Sequence, residues 1–466
     1  MKNGLLWINE NTPELTALSQ AIWEYAEVGL KEQRSSEVLK QFIQKNGFKI
    51  ETGVGGIPTA FTASFGEGKP VIGLLGEFDA LPGLSQKALP HLEPVETGGP
   101  GHGCGHNLLG VGSLAAAIAL KHEVEAGRLQ GTVRYYGCPA EEIAIGKVFM
   151  ARDGLFDDLD AALTWHPDSL NMVNSATSLA LNSVRFAFHG KASHAAGAPH
   201  LGISALDAVE LMNVGTNYLR EHVPQETRFH YVTTSGGKEP NVVPSYAEVW
   251  YYIRAPHRED VETVYQRITK IAEGASLMTG ATLEIKFQTG LYDNLPNQVL
   301  TDLLDESLKE VGVHSFTETE EEFARKIDES FSPGQKRAVF QVYHIPTEFM
   351  EVTLHENVAP DLIRGERLSG STDVGDVSWI VPTGQIMTAC YVLGTMPHSW
   401  QAVAAAGSSI GYKGMITAAR ALAFAGYQLI TRPELLAKAR EEFIKARGNK
   451  TYHSPLPSNL KPPLND

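Results

Sequence analysis

The sequence predicts an α/β protein: a domain with a central, mostly parallel sheet, interrupted by an inserted β-α-β-β-α-β domain. Three observations carry this. Residues 71–78 are almost continuously apolar, as a strand buried on both faces should be. Such runs alternate with helix-period segments and end in polar residues, Glu77 and Asp79, Glu141 and Glu142, then His166. Open α/β sheets gather their ligands at the carboxyl ends of strands. Residues 182–290 change character, to alternating strands separated by two amphipathic helices in the split βαβ order. The expected division is 1–181 with 291–466 for the main domain and 182–290 for the insert. A chain of 466 residues is long enough to bury two cores.

Taken in order, residues 11–46 read as two amphipathic helices. Asn11 and Thr12 are capping candidates before Pro13, a favoured first-turn residue. Leu15, Leu18, Ile22 and Ala26 recur at helical spacing, and Asn46-Gly47 stops the second helix. Strands are expected at 48–54, 59–65 and 71–78. A helix at 108–125 is followed by a strand at 132–136, a helix at 146–153 and a strand at 161–165. In the insert, strands fall at 183–189, 228–234, 247–253 and 282–288, and helices at 204–223 and 258–279. The main pattern resumes with a helix at 298–312. Residues 315–335 are acidic and read as a surface excursion. A strand is placed at 387–393, a helical region at 413–446, and a loosely ordered tail at 454–466.

Composition narrows the function. Thirty-nine Lys and Arg against 54 Asp and Glu give a net charge of −15, a surface that repels phosphate backbones, so no nucleic-acid partner is expected. The three cysteines, Cys104, Cys138 and Cys390, are too few for a disulfide framework and suit a reducing compartment. No basic segment followed by an apolar core opens the chain, and no run approaches a bilayer's thickness. No membrane association is expected, and the default location is the cytoplasm.

The chemistry centres on Gly101-His102-Gly103-Cys104-Gly105-His106-Asn107. A thiol and an imidazole two residues apart are ligands that borderline-soft divalent metals prefer. The glycines let the backbone bend close to an ion. Alone, a Cys-x-His pair is more often a small hydrophobe and a satisfied histidine. Glu141-Glu142, His166 and His398 each follow a strand or a loop leaving one, so a parallel sheet brings them to the same edge. Adjacent residues on extended backbone point opposite ways. One of the paired glutamates can therefore bind metal while the other faces water. These six residues suffice for two ions with open positions.

The motifs Glu77-Phe78-Asp79-Ala80-Leu81-Pro82, Gly103-Cys104-Gly105-His106-Asn107, Glu141-Glu142, Trp165-His166-Pro167, Ala192-Ser193-His194-Ala195-Ala196, Asn241-Val242-Val243-Pro244 and Gly394-Thr395-Met396-Pro397-His398 together resemble the dinuclear metallo-aminoacylase/carboxypeptidase family. The likeness covers almost the whole chain. It is strongest to the branch of indole-acetyl-amino-acid and aminobenzoyl-glutamate hydrolases, and the run from Gly370 to Trp379 and the acidic excursion resemble the aminobenzoyl-glutamate type. The resemblance implies that Cys104, His106, Glu142, His166 and His398 bind two divalent ions, zinc or manganese. It implies Glu141 as catalytic base and Asp79 as the residue that orients the metal site. His194 is implied to reach across a dimer to the substrate carbonyl. Asn241 and Arg254, with Gly370 and Ser371, are implied to bind substrate. Asn107 stands where relatives often have Asp, and Glu77 where carboxypeptidase-type relatives place a histidine ligand.

The expected activity is therefore metal-dependent hydrolysis of an N-acyl amino acid, foremost p-aminobenzoyl-glutamate, with indole-acetyl or other N-acyl amino acids as the alternative. The inserted domain is expected to pair with an identical or a homologous chain. Two rivals remain open at this level: an amidase using Cys104 as nucleophile, and a non-catalytic binding protein on the same fold.

Overall fold

The computed structural model describes residues 1–464; Asn465 and Asp466, the end of the expected tail, lie outside the described residues. The main sheet contains β1 (Lys49–Thr52), β2 (Phe61–Gly66), β3 (Val71–Glu77), β4 (Thr132–Cys138), β5 (Ala161–Asp168), β6 (Met172–Val173) and β11 (Thr383–Ala389), in the order β1-β2-β4-β3-β5-β11-β6. The four central strands run parallel, and antiparallel neighbours flank them. In β3, Ile72 and Leu74 enter one core while Val71 and Leu75 enter another. This is the two-sided burial that its unbroken apolar run demands. The first core includes helices His106–Glu125, Gln298–Val311 and Ser409–Thr431. The second includes helix Gly146–Arg152 and Val377 of helix Val374–Ser378.

The inserted sheet is antiparallel, ordered β10-β7-β9-β8, with β7 (Ala180–His189), β8 (Arg228–Ser235), β9 (Tyr246–Ala255) and β10 (Thr282–Leu291). Helices Ala205–Leu219 and Arg258–Thr279 pack on it through Val209, Met212, Val264 and Ile268. The protein is thus an α/β domain carrying a four-stranded antiparallel insert. Among the described residues, no helix is long and apolar enough to cross a membrane.

Several local expectations shift. The strand expected at 387–393 lies at Thr383–Ala389, in register with β5 from Thr383↔Ala162 to Ala389↔Asp168. Beyond Ala389 the N–H groups of Cys390 and Tyr391 both donate to the Asp168 carbonyl, which ends the ladder. A further helix, Lys2–Glu10, precedes the first expected one and packs on His106–Glu125. Pro433 splits the expected C-terminal helix into Ser409–Thr431 and Pro433–Arg447. The acidic excursion holds helix Glu318–Glu329, started by a Thr317–Glu320 capping box, with Ala324 and Ile327 buried against Val392 and Ile410. The tail is docked rather than loose over 454–464: Leu456 is buried in the second core, and the Leu460 carbonyl accepts from Arg152.

Candidate metal centre

Four chain segments converge at the carboxyl edge of the parallel strands. β3 runs into Asp79, whose side chain is fully buried. Its Oδ1 lies 2.9 Å from His106 Nδ1, and its Oδ2 accepts the Glu142 N–H at 2.9 Å. One carboxylate therefore orients two of the expected ligands. Gly105 precedes helix His106–Glu125 with φ +68°, and a Cβ there would lie 2.4 Å from the Tyr391 hydroxyl. No other residue type fits so close an approach.

β4 leads into the Glu141-Glu142 turn. Ala140 and Ala144 hold positive φ on either side, a conformation that surrounding contacts must enforce. The Glu32 carboxylate accepts the Ala140 N–H at 2.8 Å, and the Ile145 N–H donates to the Ala140 carbonyl. His166 lies within β5, and its Nδ1 is 2.8 Å from the Pro167 carbonyl, leaving Nε2 free to face the site. His398 also has positive φ, and its backbone N–H donates to the Gly103 carbonyl. That bond ties the last segment to the Cys104 motif.

The result is two triplets that share one sulfur. Cys104, His106 and His166 form one, and Cys104, Glu142 and His398 form the other, with ligand-type atoms within 4.8 Å of one another in each. His398 Nε2 lies 3.0 Å from Cys104 Sγ and 3.4 Å from Glu142 Oε2. Glu141, with Glu77 and His106, forms a third such group. Glu142 Oε1 is buried without a hydrogen-bond partner, an arrangement that is costly unless a cation meets it. Burial opposes charge on His106, yet the Asp79 hydrogen bond and nearby acids push its pKa well above the usual histidine range. The surroundings thus favour positive charge at this ring. Thiolate, imidazole and carboxylate donors together suit zinc or a similar divalent ion, so the residues fit such a cation.

Burial also works against Glu142, but the bond from His398 and the charge of His106 bring its pKa down to about 2. Glu141 goes the other way: burial, then the charges of Glu77 and Asp373, push it well above the carboxylate range. Two adjacent carboxyls are thereby driven apart, the pattern of one ligand and one proton acceptor.

A cavity of about 500 Å³ opens over these groups, lined by Glu141, Glu142, His166 and His398 and by Arg254, Gly370 and Ser371. Arg254 Nε and Ser371 Oγ are buried without partners, and the titratable group that acts on Arg254 is Tyr252 rather than a carboxylate. His194 and Asn241 do not line this cavity. They lie together on the insert, where the Ala195 N–H donates to the Asn241 carbonyl and His194 bridges Val242.

Sequence reasoning missed Lys147. Its ammonium is fully buried, 2.6 Å from Glu77 Oε1 and 2.6 Å from Asp373 Oδ1; Glu77 Oε2 lies 3.2 Å from Nε2 of the candidate ligand His106. A lysine interrupting the otherwise apolar run from Ile143 to Ala151 was the available signal. Tyr343, contributed from beyond the acidic excursion, also lines the cavity and was missed.

Residues 179–277 match the family model of a peptidase dimerisation domain. The chain is 43% identical to one of the subunits of the p-aminobenzoyl-glutamate hydrolase of Escherichia coli, over 98% of this chain and 97% of that one. It is 30% identical to the Xaa-Arg dipeptidase of Mus musculus, over 94% and 90% of the two chains. Among solved structures, it superimposes with a TM-score of 0.57 on a dinuclear metal binding peptidase of the M20 family from Bacillus subtilis, at 17% identity over 91% of this chain and 99% of that one. That likeness is one of fold. With relatives this similar along nearly its whole length, the chain belongs to the M20 peptidase family.

Proposed function

We propose that this protein is a metal-dependent amidohydrolase that cleaves p-aminobenzoyl-glutamate to 4-aminobenzoate and glutamate. The observation that carries the reading is the pair of ligand triplets sharing Cys104, with Glu141 beside them on the same cavity. The 43% identity to the Escherichia coli hydrolase chain supplies the substrate.

In this account Cys104, His106 and His166 would hold one divalent ion, and Cys104, Glu142 and His398 a second. When bound, such ions would supply Lewis acidity toward the amide carbonyl and make water acidic enough to lose a proton near neutrality. Glu141 takes that proton as the water oxygen bonds to the carbonyl carbon. The C–N bond then breaks, and Glu141 returns the proton to the departing glutamate nitrogen. Asp79 holds the His106 ring so that Nε2 faces the site. Arg254, half-buried and without an acidic partner, pairs with a substrate carboxylate. His194 and Asn241 serve the site of a second protomer, which explains why they lie off their own chain's cavity. The insert exposes Leu211, Val214 and Tyr218 on one helix and Tyr231 and Val232 on edge strand β8, an apolar patch suited to that pairing. The partner is an identical chain or a homologous one.

Chelation tests the reading. Stripping metal from the purified chain should abolish hydrolysis, and added zinc or manganese should restore it. Activity that survives chelation would favour the Cys104 nucleophile, and a metal-replete chain that never turns over would favour the non-catalytic binding role. Arg254→Ala should raise KM by about 10–100-fold with kcat little changed, the usual worth of a charge-assisted bond made equally before and during reaction. An unchanged KM would remove Arg254 from the substrate.

A further inference from the structure

The cavity walls differ in chemistry. Arg254 is half-buried, and its guanidinium has no acidic partner and a buried, unpartnered Nε. Another part of the lining is apolar: Tyr343, Leu368, Met387 and Ala176. All four belong to a single apolar cluster with Val339, Phe340 and Ile363. The chain between 335 and 368 builds much of that cluster against Met172 of β6 and Met387 of β11.

The two half-buried members of the wall, Tyr343 and Leu368, are fixed in place. Tyr343 caps helix Gln335–Val342, and its hydroxyl donates to Asp168 Oδ2 at 3.1 Å. The phenol's polar end is thus occupied by Asp168, two residues along from His166, while the residue lines the cavity. Leu368 is held by its own backbone: its N–H donates to the Thr177 carbonyl at 2.9 Å, and the Leu179 N–H donates to the Gly370 carbonyl at 2.9 Å. A pre-formed surface of one ring and several aliphatic chains offers nothing to a carboxylate. It does match a flat aromatic group, which gains from apolar burial and ring contact.

We propose that the wall of Tyr343, Leu368, Met387 and Ala176 is the acyl subsite, which seats the aromatic ring of the substrate and selects aryl over small aliphatic acyl groups. This rests on the amidohydrolase reading of the same cavity. It gives the segment after the acidic excursion a role in specificity, away from the proton-transfer and ligand residues.

The test is equilibrium binding of 4-aminobenzoate to the full-length, metal-loaded protein by saturation-transfer NMR, alongside kcat/KM for p-aminobenzoyl-glutamate and N-acetyl-glutamate. Tyr343→Ala and Leu368→Ala should each weaken 4-aminobenzoate binding and lower the aryl-to-acetyl ratio of kcat/KM by roughly tenfold or more. Tyr343→Phe, which keeps the ring and loses the bond to Asp168, should keep the preference. If Tyr343→Ala does not fold, the half-buried Leu368 still decides. Unchanged 4-aminobenzoate binding in the variants, or no binding by the unmodified protein, overturns the subsite. Lost binding in the variants of a protein that hydrolyses neither amide would leave the subsite standing and reject the amidohydrolase reading instead.

Discussion

Replacing Glu141 with glutamine is expected to lower kcat by about 10²–10⁴-fold, the usual worth of a positioned general base. Metal content should be unchanged, because Glu141 belongs to neither triplet built on Cys104. The substitution keeps the shape of the side chain and removes its ability to accept a proton. Glu142→Gln should behave differently, losing metal as well as rate, since its carboxylate stands with Cys104 and His398. Kinetics beside metal analysis of both variants separates the roles. Near-normal turnover by metal-replete Glu141→Gln would remove that residue from proton transfer.

The second large effect concerns stability. Lys147→Met should cost about 3–5 kcal/mol, because breaking a buried ion pair leaves charge without compensation. Here two carboxylates lose one ammonium: Glu77 and Asp373 are 3% and 0% exposed. Asp373 Oδ2 also accepts the Lys147 backbone N–H at 2.8 Å, which anchors helix Gly146–Arg152 beside the Glu141-Glu142 turn. Urea denaturation of the metal-free protein isolates this term from ion binding. A change below about 1 kcal/mol would mean that the pair is compensated by other groups.

Much of the candidate site was legible because the ligand-type residues that the fold brings together sit in short motifs near strand ends. Glycine around Cys104, paired glutamates after β4, a histidine near the end of β5 and another after β11 follow from local rules of strand geometry and metal preference. What escaped depends on partners far along the chain. Lys147 reads as an ordinary helix lysine until Asp373, 226 residues away, is seen to receive it. Tyr343 follows an acidic stretch and carries no motif, and only the pairing of 366–370 with 177–179 turns that segment toward the cavity. The β11 register failed for a related reason. Residues 383–393 are largely apolar, so periodicity could not choose where pairing stops, and the Asp168 carbonyl makes that choice. The docked tail was equally invisible, since Pro-rich composition says nothing of the groove that receives Leu456.

Cys104 stands at the centre because both triplets include its sulfur. Calorimetric titration of the metal-stripped chain with zinc, with and without Cys104→Ala, tests this most directly. Saturation at two ions per chain is expected, with marked weakening of both sites in the variant. A variant that still binds two ions at undiminished affinity, or an unmodified chain that binds none, would contradict it.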